Sequence, residues 1–150
     1  VGIHFGVSVE QAARAVAAYQ PTNNRSQWMR TERNELIVDA YNANPTSMKA
    51  ALDNMALMQH AHKMLILGEM RELGEASAEE HRRVAAQAQQ LGCDAVWLVG
   101  EAFRPYADGA QWFADEAAVE AVLAESKPQG KLILVKGSNG TRLFKLPSLL

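Results

Sequence analysis

Four short apolar runs frame the chain: "LIVDA" (36–40), "KMLILG" (63–68), "AVWLVG" (95–100) and "KLILVKG" (131–137). Each is nearly continuous rather than alternating, the pattern of strands covered on both faces in a parallel sheet under helices. Ahead of the first, "QWMRTE" (27–32) alternates and "RNE" (33–35) turns it back, which predicts a hairpin. Amphipathic stretches separate the runs. "PTSMKAALDNMALMQ" (45–59) puts Met48, Leu52, Met55 and Met58 or Ala51 at helical spacing. "SAEEHRRVAAQAQQLG" (77–92) opens with Ser77 and Glu80 spaced as a capping box and ends at Gly92, a C-cap residue. "DEAAVEAVLAESK" (115–127) starts at Asp115, with acids where the helix dipole favours them. A short helix and a short strand, "QWF" (111–113), precede it. Ser8 and Gln11 predict another capped helix over 9–19, broken by Pro21 and "TNN" (22–24). The alternation predicts an α/β fold: a Rossmann-like, doubly wound, mostly parallel sheet with helices on both faces. Residues 1–22 read as a helical tail or linker ahead of a main fold at 23–150.

Length and composition narrow the picture. A chain of 150 residues, 48% hydrophobic and 21% charged, suits one globular domain with a real core. The net charge of −2 gives no electrostatic reason to expect nucleic acid as a partner. No apolar run approaches the roughly 20 residues that span a bilayer, so no membrane insertion is expected. The chain starts at Val1 without a basic, apolar leader or an initiator Met, which reads as a piece of a longer protein. Cys93 is the single cysteine, so no internal disulfide forms; it reads as a small core residue entering a strand.

Ligands of an open parallel sheet bind beyond the carboxyl ends of its strands. The segments that follow the apolar runs are therefore the candidates. They are Asp39-Ala-Tyr41-Asn42-Ala-Asn44-Pro45, "GEMRELG" (68–74), "GEAF" (100–103) and "KGSNGTR" (136–142). "DAYNANP" is compatible with a turn and helix cap or with a binding loop. "KGSNGTR" suits a hairpin, the start of a helix, or backbone N–H groups and Lys136 presented to an anion. The chain contains no G-x-x-x-x-G-K-[ST] phosphate loop. His60 and His62, two apart, do not form a metal pair on a helix, and no metal site is predicted.

"DAYNANPTSMKAAL" (39–52), "LILGEMRELG" (65–74) with His81 following, and "VKGSNGTRL" (135–143) resemble three blocks of the Mur ligase family, in the family's order. The resemblance implies a C-terminal, Rossmann-like Mur ligase domain at 23–150, with residues 1–22 similar to the end of the central ATPase domain. It is nearest to members that add D-Ala-D-Ala to UDP-MurNAc-tripeptide in cytoplasmic peptidoglycan synthesis. Other Mur-type or folylpolyglutamate-type ligases, or a freestanding non-catalytic nucleotide-binding module, are the alternatives. ATP and Mg2+ are implied for the full enzyme, with the phosphate loop and most metal ligands outside this chain. The expected chemistry is ATP-driven formation of an acyl phosphate, then attack by the dipeptide amine. The fragment alone is expected to be inactive and to hold no catalytic residue of its own. The resemblance places Arg25, Asp39, Tyr41, Asn42 and Asn44 at the nucleotide, Asp39 on the ribose. Tyr41 suits stacking or wall packing equally, and Asn24 stands where the family usually has glycine before its arginine. Glu69, Met70, Leu73, Lys136 and Ser138 fall near the amine substrate, the last two on its carboxylate. Glu72 and His81 are expected to orient the loop.

Overall fold

The structure, a computed structural model, describes residues 7–18 and 26–150. The elements are α1 (Val9–Ala18), β1 (Gln27–Arg30), β2 (Glu35–Asp39), α2 (Pro45–Leu57), β3 (Lys63–Gly68) and α3 (Ser77–Gln90). Then come β4 (Ala95–Val99), β5 (Gln111–Phe113), α4 (Glu116–Glu125) and β6 (Leu132–Lys136), with short 3-10 turns between several of them. His4, Pro21 and Arg25 lie outside the described residues.

One six-stranded sheet in the order β1-β2-β6-β3-β4-β5 carries the fold. β1 pairs antiparallel with β2 through the expected hairpin, and every other pairing is parallel. All five residues of β6, the last strand in sequence, are buried; it sits between β2 and β3. Its register sets Lys136 opposite Asp39 on one side and Leu67 on the other.

Two apolar layers flank the sheet. Met48, Leu52 and Met55 of α2 and Val84, Ala85 and Ala88 of α3 pack on Leu65, Leu67, Leu98, Leu132 and Leu134. On the opposite face, Val119 and Leu123 of α4 join Leu143, Leu146 and Leu150 on Val38, Ile66, Val99, Ile133 and Val135. Each Leu or Val taken fully out of water contributes roughly 1.5–3 kcal/mol before entropy is counted. The alternation of side chains along each strand feeds both layers, which is why the runs are apolar without a break.

The caps follow the sequence in part. Ser8 and Gln11 exchange bonds of 3.0 and 3.1 Å at the start of α1. Asp115 accepts from Ala118 N, and Gly92 lies just past α3 at φ +63°. The expected Ser77–Glu80 box does not form. A 3-10 turn, Gly74–Ala76, runs directly into α3, so the Ser77 N–H is bonded to Gly74 O and its hydroxyl faces His81 instead. Glu80 pairs with Arg83 at 3.2 Å. His60 and His62 fall in the loop after α2 rather than on a helix, and the Nδ1 of His60 accepts from His62 N at 3.1 Å. Residues 31 and 32 leave the first strand, which ends at Arg30. Cys93 sits half-buried just before β4, where burial pushes its thiol pKa up.

Candidate functional site

Three loops meet at the carboxyl ends of β2, β6 and β3, where the connections leave for opposite faces of the sheet. α2 follows β2 onto one face, and the segment after β6 packs on the other. A doubly wound sheet opens its crevice at such a switch point.

The loops are bonded to one another. Lys136 Nζ donates to Asp39 Oδ2 at 2.5 Å and to the Asn42 carbonyl at 3.3 Å. Tyr41 O accepts from Asn139 N at 3.0 Å, and Gly137 N reaches Asp39 O at 3.4 Å. The Ser138 hydroxyl donates to Glu69 O at 3.0 Å. Lys136 thus belongs with Asp39, and Ser138 braces the turn after β3. Both side chains are satisfied inside the protein. A Cβ on Gly137 would stand 2.7 Å from Thr141 Oγ1 and 3.2 Å from Gly68 Cα, so this close approach of β6 to β3 depends on glycine.

Within the first loop, Asn44 is the N-cap of α2. Its Oδ1 accepts from Ser47 N at 2.9 Å, and Ser47 Oγ accepts from Asn44 N at 3.2 Å, a full capping box with Pro45 opening the helix. Tyr41 and Asn42 are exposed at the rim. On the α2 face, Asp39 borders a cleft of about 340 Å³ whose walls include Ser26, Trp28, Ile37 and Met58.

Beneath the second loop, His81 of α3 is fully buried. Its Nε2 accepts from Met70 N at 3.0 Å and its Nδ1 donates to Ser77 O at 2.7 Å, an arrangement that requires the neutral ring with the proton on Nδ1. The ring stands edge-on to Phe103 at 4.7 Å. Met70 is buried in the α2–α3 layer and Leu73 packs against it, so both shape the loop from beneath. Glu72 is exposed at φ +63°, a left-handed conformation uncommon for a non-glycine residue. Glu69 Oε2 accepts from Ala102 N at 3.2 Å.

Sequence reasoning missed the third layer of contacts around this rim. Arg71 Nη2 donates to Gly140 O at 3.3 Å. Glu116 is buried and pairs with Lys145 at 2.6 Å and with Arg142 at 3.8 Å. The signal for Glu116 was its place after the cap Asp115; nothing local marks Lys145 as its partner. Among the described residues, no three His, Cys, Asp or Glu side chains gather to hold a metal ion. No helix among them is long and apolar enough to cross a membrane.

The family model described as "Mur ligase, glutamate ligase domain" matches residues 24–139. The chain belongs to this Mur ligase family. The UDP-N-acetylmuramoyl-tripeptide--D-alanyl-D-alanine ligase of Bacillus subtilis is 32% identical over 156 residues, covering 97% of this chain and 34% of that protein. The Treponema pallidum protein of the same name is 34% identical over 154 residues, with 97% and 33% covered. Among solved structures, MurF from Acinetobacter baumannii superposes with a TM-score of 0.81 at 27% identity, over 98% of this chain and 34% of that one. A Yersinia pestis folylpolyglutamate synthase/dihydrofolate synthase shares the fold, with a TM-score of 0.64 at 17% identity over 95% of this chain and 34% of that one. The chain therefore spans about a third of the length of the Mur ligase relatives it matches. It is homologous to the C-terminal domain of the D-alanyl-D-alanine-adding members, the group that the blocks at 39–52, 65–74 and 135–143 resemble.

Proposed function

We propose that this domain serves a longer cytoplasmic ligase that joins D-Ala-D-Ala to UDP-MurNAc-tripeptide in peptidoglycan synthesis. The carrying observation is that the three family blocks are stitched together at the switch point by Lys136–Asp39, Ser138–Glu69 and Asn139–Tyr41 bonds. Residues 1–22 then belong to the end of a central ATPase domain, and 23–150 close over that domain.

The donors present fit a nucleotide. Asp39 keeps Oδ1 for a ribose hydroxyl while Oδ2 is held by Lys136. Tyr41 and Asn42 stand exposed beside it, and Arg25, given to the nucleotide by the family resemblance, comes two residues before β1 in the sequence. Asn44 acts through the capping box that fixes this loop. ATP supplies the phosphoryl group that activates the tripeptide carboxylate, and magnesium takes its ligands from the preceding domain. Glu69 faces the amine substrate, with Met70, Leu73 and Ser138 shaping its turn; His81 and Glu72 set the loop's path. The domain's contribution is positioning and the exclusion of water from a labile acyl phosphate.

The test is to express the complete reading frame that encodes this chain. ADP release is expected only with ATP, UDP-MurNAc-tripeptide and D-Ala-D-Ala together, and Asp39→Ala is expected to raise KM for ATP. ADP release driven by glutamate or a folate in place of the dipeptide would overturn the assignment.

A further inference from the structure

A second cleft of about 240 Å³ opens on the rim beyond β3 and β4. Its walls carry opposite charges. Glu69 lines it, with Oε2 held by Ala102 N and, among the described residues, no partner at Oε1. Arg71 and Arg142 line it too, Arg142 within 3.8 Å of Glu116. The remaining acids there are engaged: Asp115 caps α4 through Ala118 N, and Glu116 is held by Lys145 at 2.6 Å.

Arg71 is placed with care. Its guanidinium lies across Gly140, where a Cβ would stand 2.4 Å from Arg71 Cζ. One Nη2 bond to the Gly140 carbonyl orients the fork. Among the described residues no carboxylate pairs with Arg71, and the side chain is exposed to the cleft. A guanidinium steadied by a neutral carbonyl keeps its full charge and most of its donors for a planar anion. Lys136 cannot take that part while its buried ammonium stays on Asp39 and Asn42.

The geometry points to Arg71 as the residue that holds the carboxylate of a small zwitterion, with Glu69 Oε1 receiving its ammonium end. The cleft suits an amino acid or dipeptide and is too small for a folded peptide. This rests on the amine-substrate reading above and moves the carboxylate contact from Lys136 and Ser138 to Arg71.

Two measurements separate this inference from that reading. The first titrates the 150-residue chain with D-Ala-D-Ala, its C-terminal amide and its N-acetyl form, followed by amide NMR shifts. The free dipeptide is expected to move Arg71, Gly100 and Gly140 signals. The C-terminal amide should bind roughly tenfold more weakly, the loss of one charge-assisted contact. Arg71→Gln should abolish that acid-over-amide preference. Retention of the preference in Arg71→Gln, or shifts confined to Lys136 and Asp39, overturns the inference, as does the absence of any shift. The second measurement is KM for D-Ala-D-Ala in the complete ligase, expected to rise at least tenfold in Arg71→Gln with kcat nearly unchanged. Product formation with an unchanged KM removes Arg71 and leaves the ligase assignment standing. If no product forms with any dipeptide but the chain still binds the zwitterion through Arg71, the assignment falls and the inference stands.

Discussion

A lysine stands at each end of β6, Lys131 just before it and Lys136 as its last residue, and each has an aspartate at 2.5 Å. At the carboxyl end, Lys136 meets Asp39 with the lysine side chain 1% and the aspartate 20% exposed. At the amino end, Lys131 meets Asp94 with 22% and 34% exposed. Distance alone would rank the pairs equal. Their surroundings do not. Lys136 is closed in by the loop it supports, so loss of Asp39 leaves its buried ammonium with only the Asn42 carbonyl, whereas Asp39 keeps a solvent-facing side. Lys131 and Asp94 are hydrated, and His62 Nδ1 also approaches Asp94 at 2.9 Å, so each has substitutes. At the amino rim the fastening role falls to a neutral residue. Buried Asn34 donates to Pro128 O at 2.8 Å and Leu150 O at 2.7 Å, and accepts from Lys131 N at 3.1 Å.

The contrast can be broken from its strong side first. Lys136→Met should cost roughly 3 kcal/mol by urea denaturation, the low end for a severed buried pair because Asp39 keeps a solvent-facing side. It should also broaden the NMR signals of residues 40–44. A loss no greater than that of Lys131→Met would erase the distinction between the two pairs. Asn34→Ala is expected to cost about 2 kcal/mol, since it leaves buried backbone groups without partners. A negligible change there would show that the amino rim relies on its charges after all.

The weak side gives smaller effects. Asp94 has its pKa held down first by the hydrogen bond from Lys131 and then by that from His62. A folded-state pKa below the unfolded one means that this stability is present above the ordinary aspartate range and is lost as pH falls through the folded pKa. Asp53 and Glu79 shift in the same direction, through hydrogen bonds led by Lys49 and Arg82. Acid titration of the unfolding midpoint should therefore slope downward below the carboxylate range, and Asp94→Asn should flatten part of that slope. The smallest effect is Lys131→Met at neutral pH, where the midpoint should barely move.

The fold was largely legible because its cues are local. Continuous apolar runs marked β2, β3, β4 and β6, and Asp115 and Gly92 marked helix ends through backbone demands that few residues meet. Ser77 misled because a cap needs a chain that arrives extended, and here it arrives already in a 3-10 turn. The tail "LFKLPSLL" (143–150) carried an apolar spacing that went unread, and Leu143, Leu146 and Leu150 complete one core layer. The site divides in the same way. Asp39, Glu69, Lys136 and Ser138 stand out in the sequence because they lie at or just past the carboxyl ends of apolar strands. That Lys136 turns to Asp39, Ser138 to Glu69 and Arg71 to Gly140 is set by strand order, which no short window contains.

The place of β6 has a consequence for how the molecule comes into being. Asp39 and Lys136 are 97 residues apart, yet they are neighbours across adjoining strands. While the chain emerges from the ribosome, β2 has only the edge strand β1 beside it, and β3 lacks its inner neighbour. The centre of the sheet closes last, when residues 132–136 slot between strands made long before. Such long-range closure favours folding on the millisecond-to-second scale and leaves a half-built sheet exposed to neighbouring nascent chains until the final strand arrives.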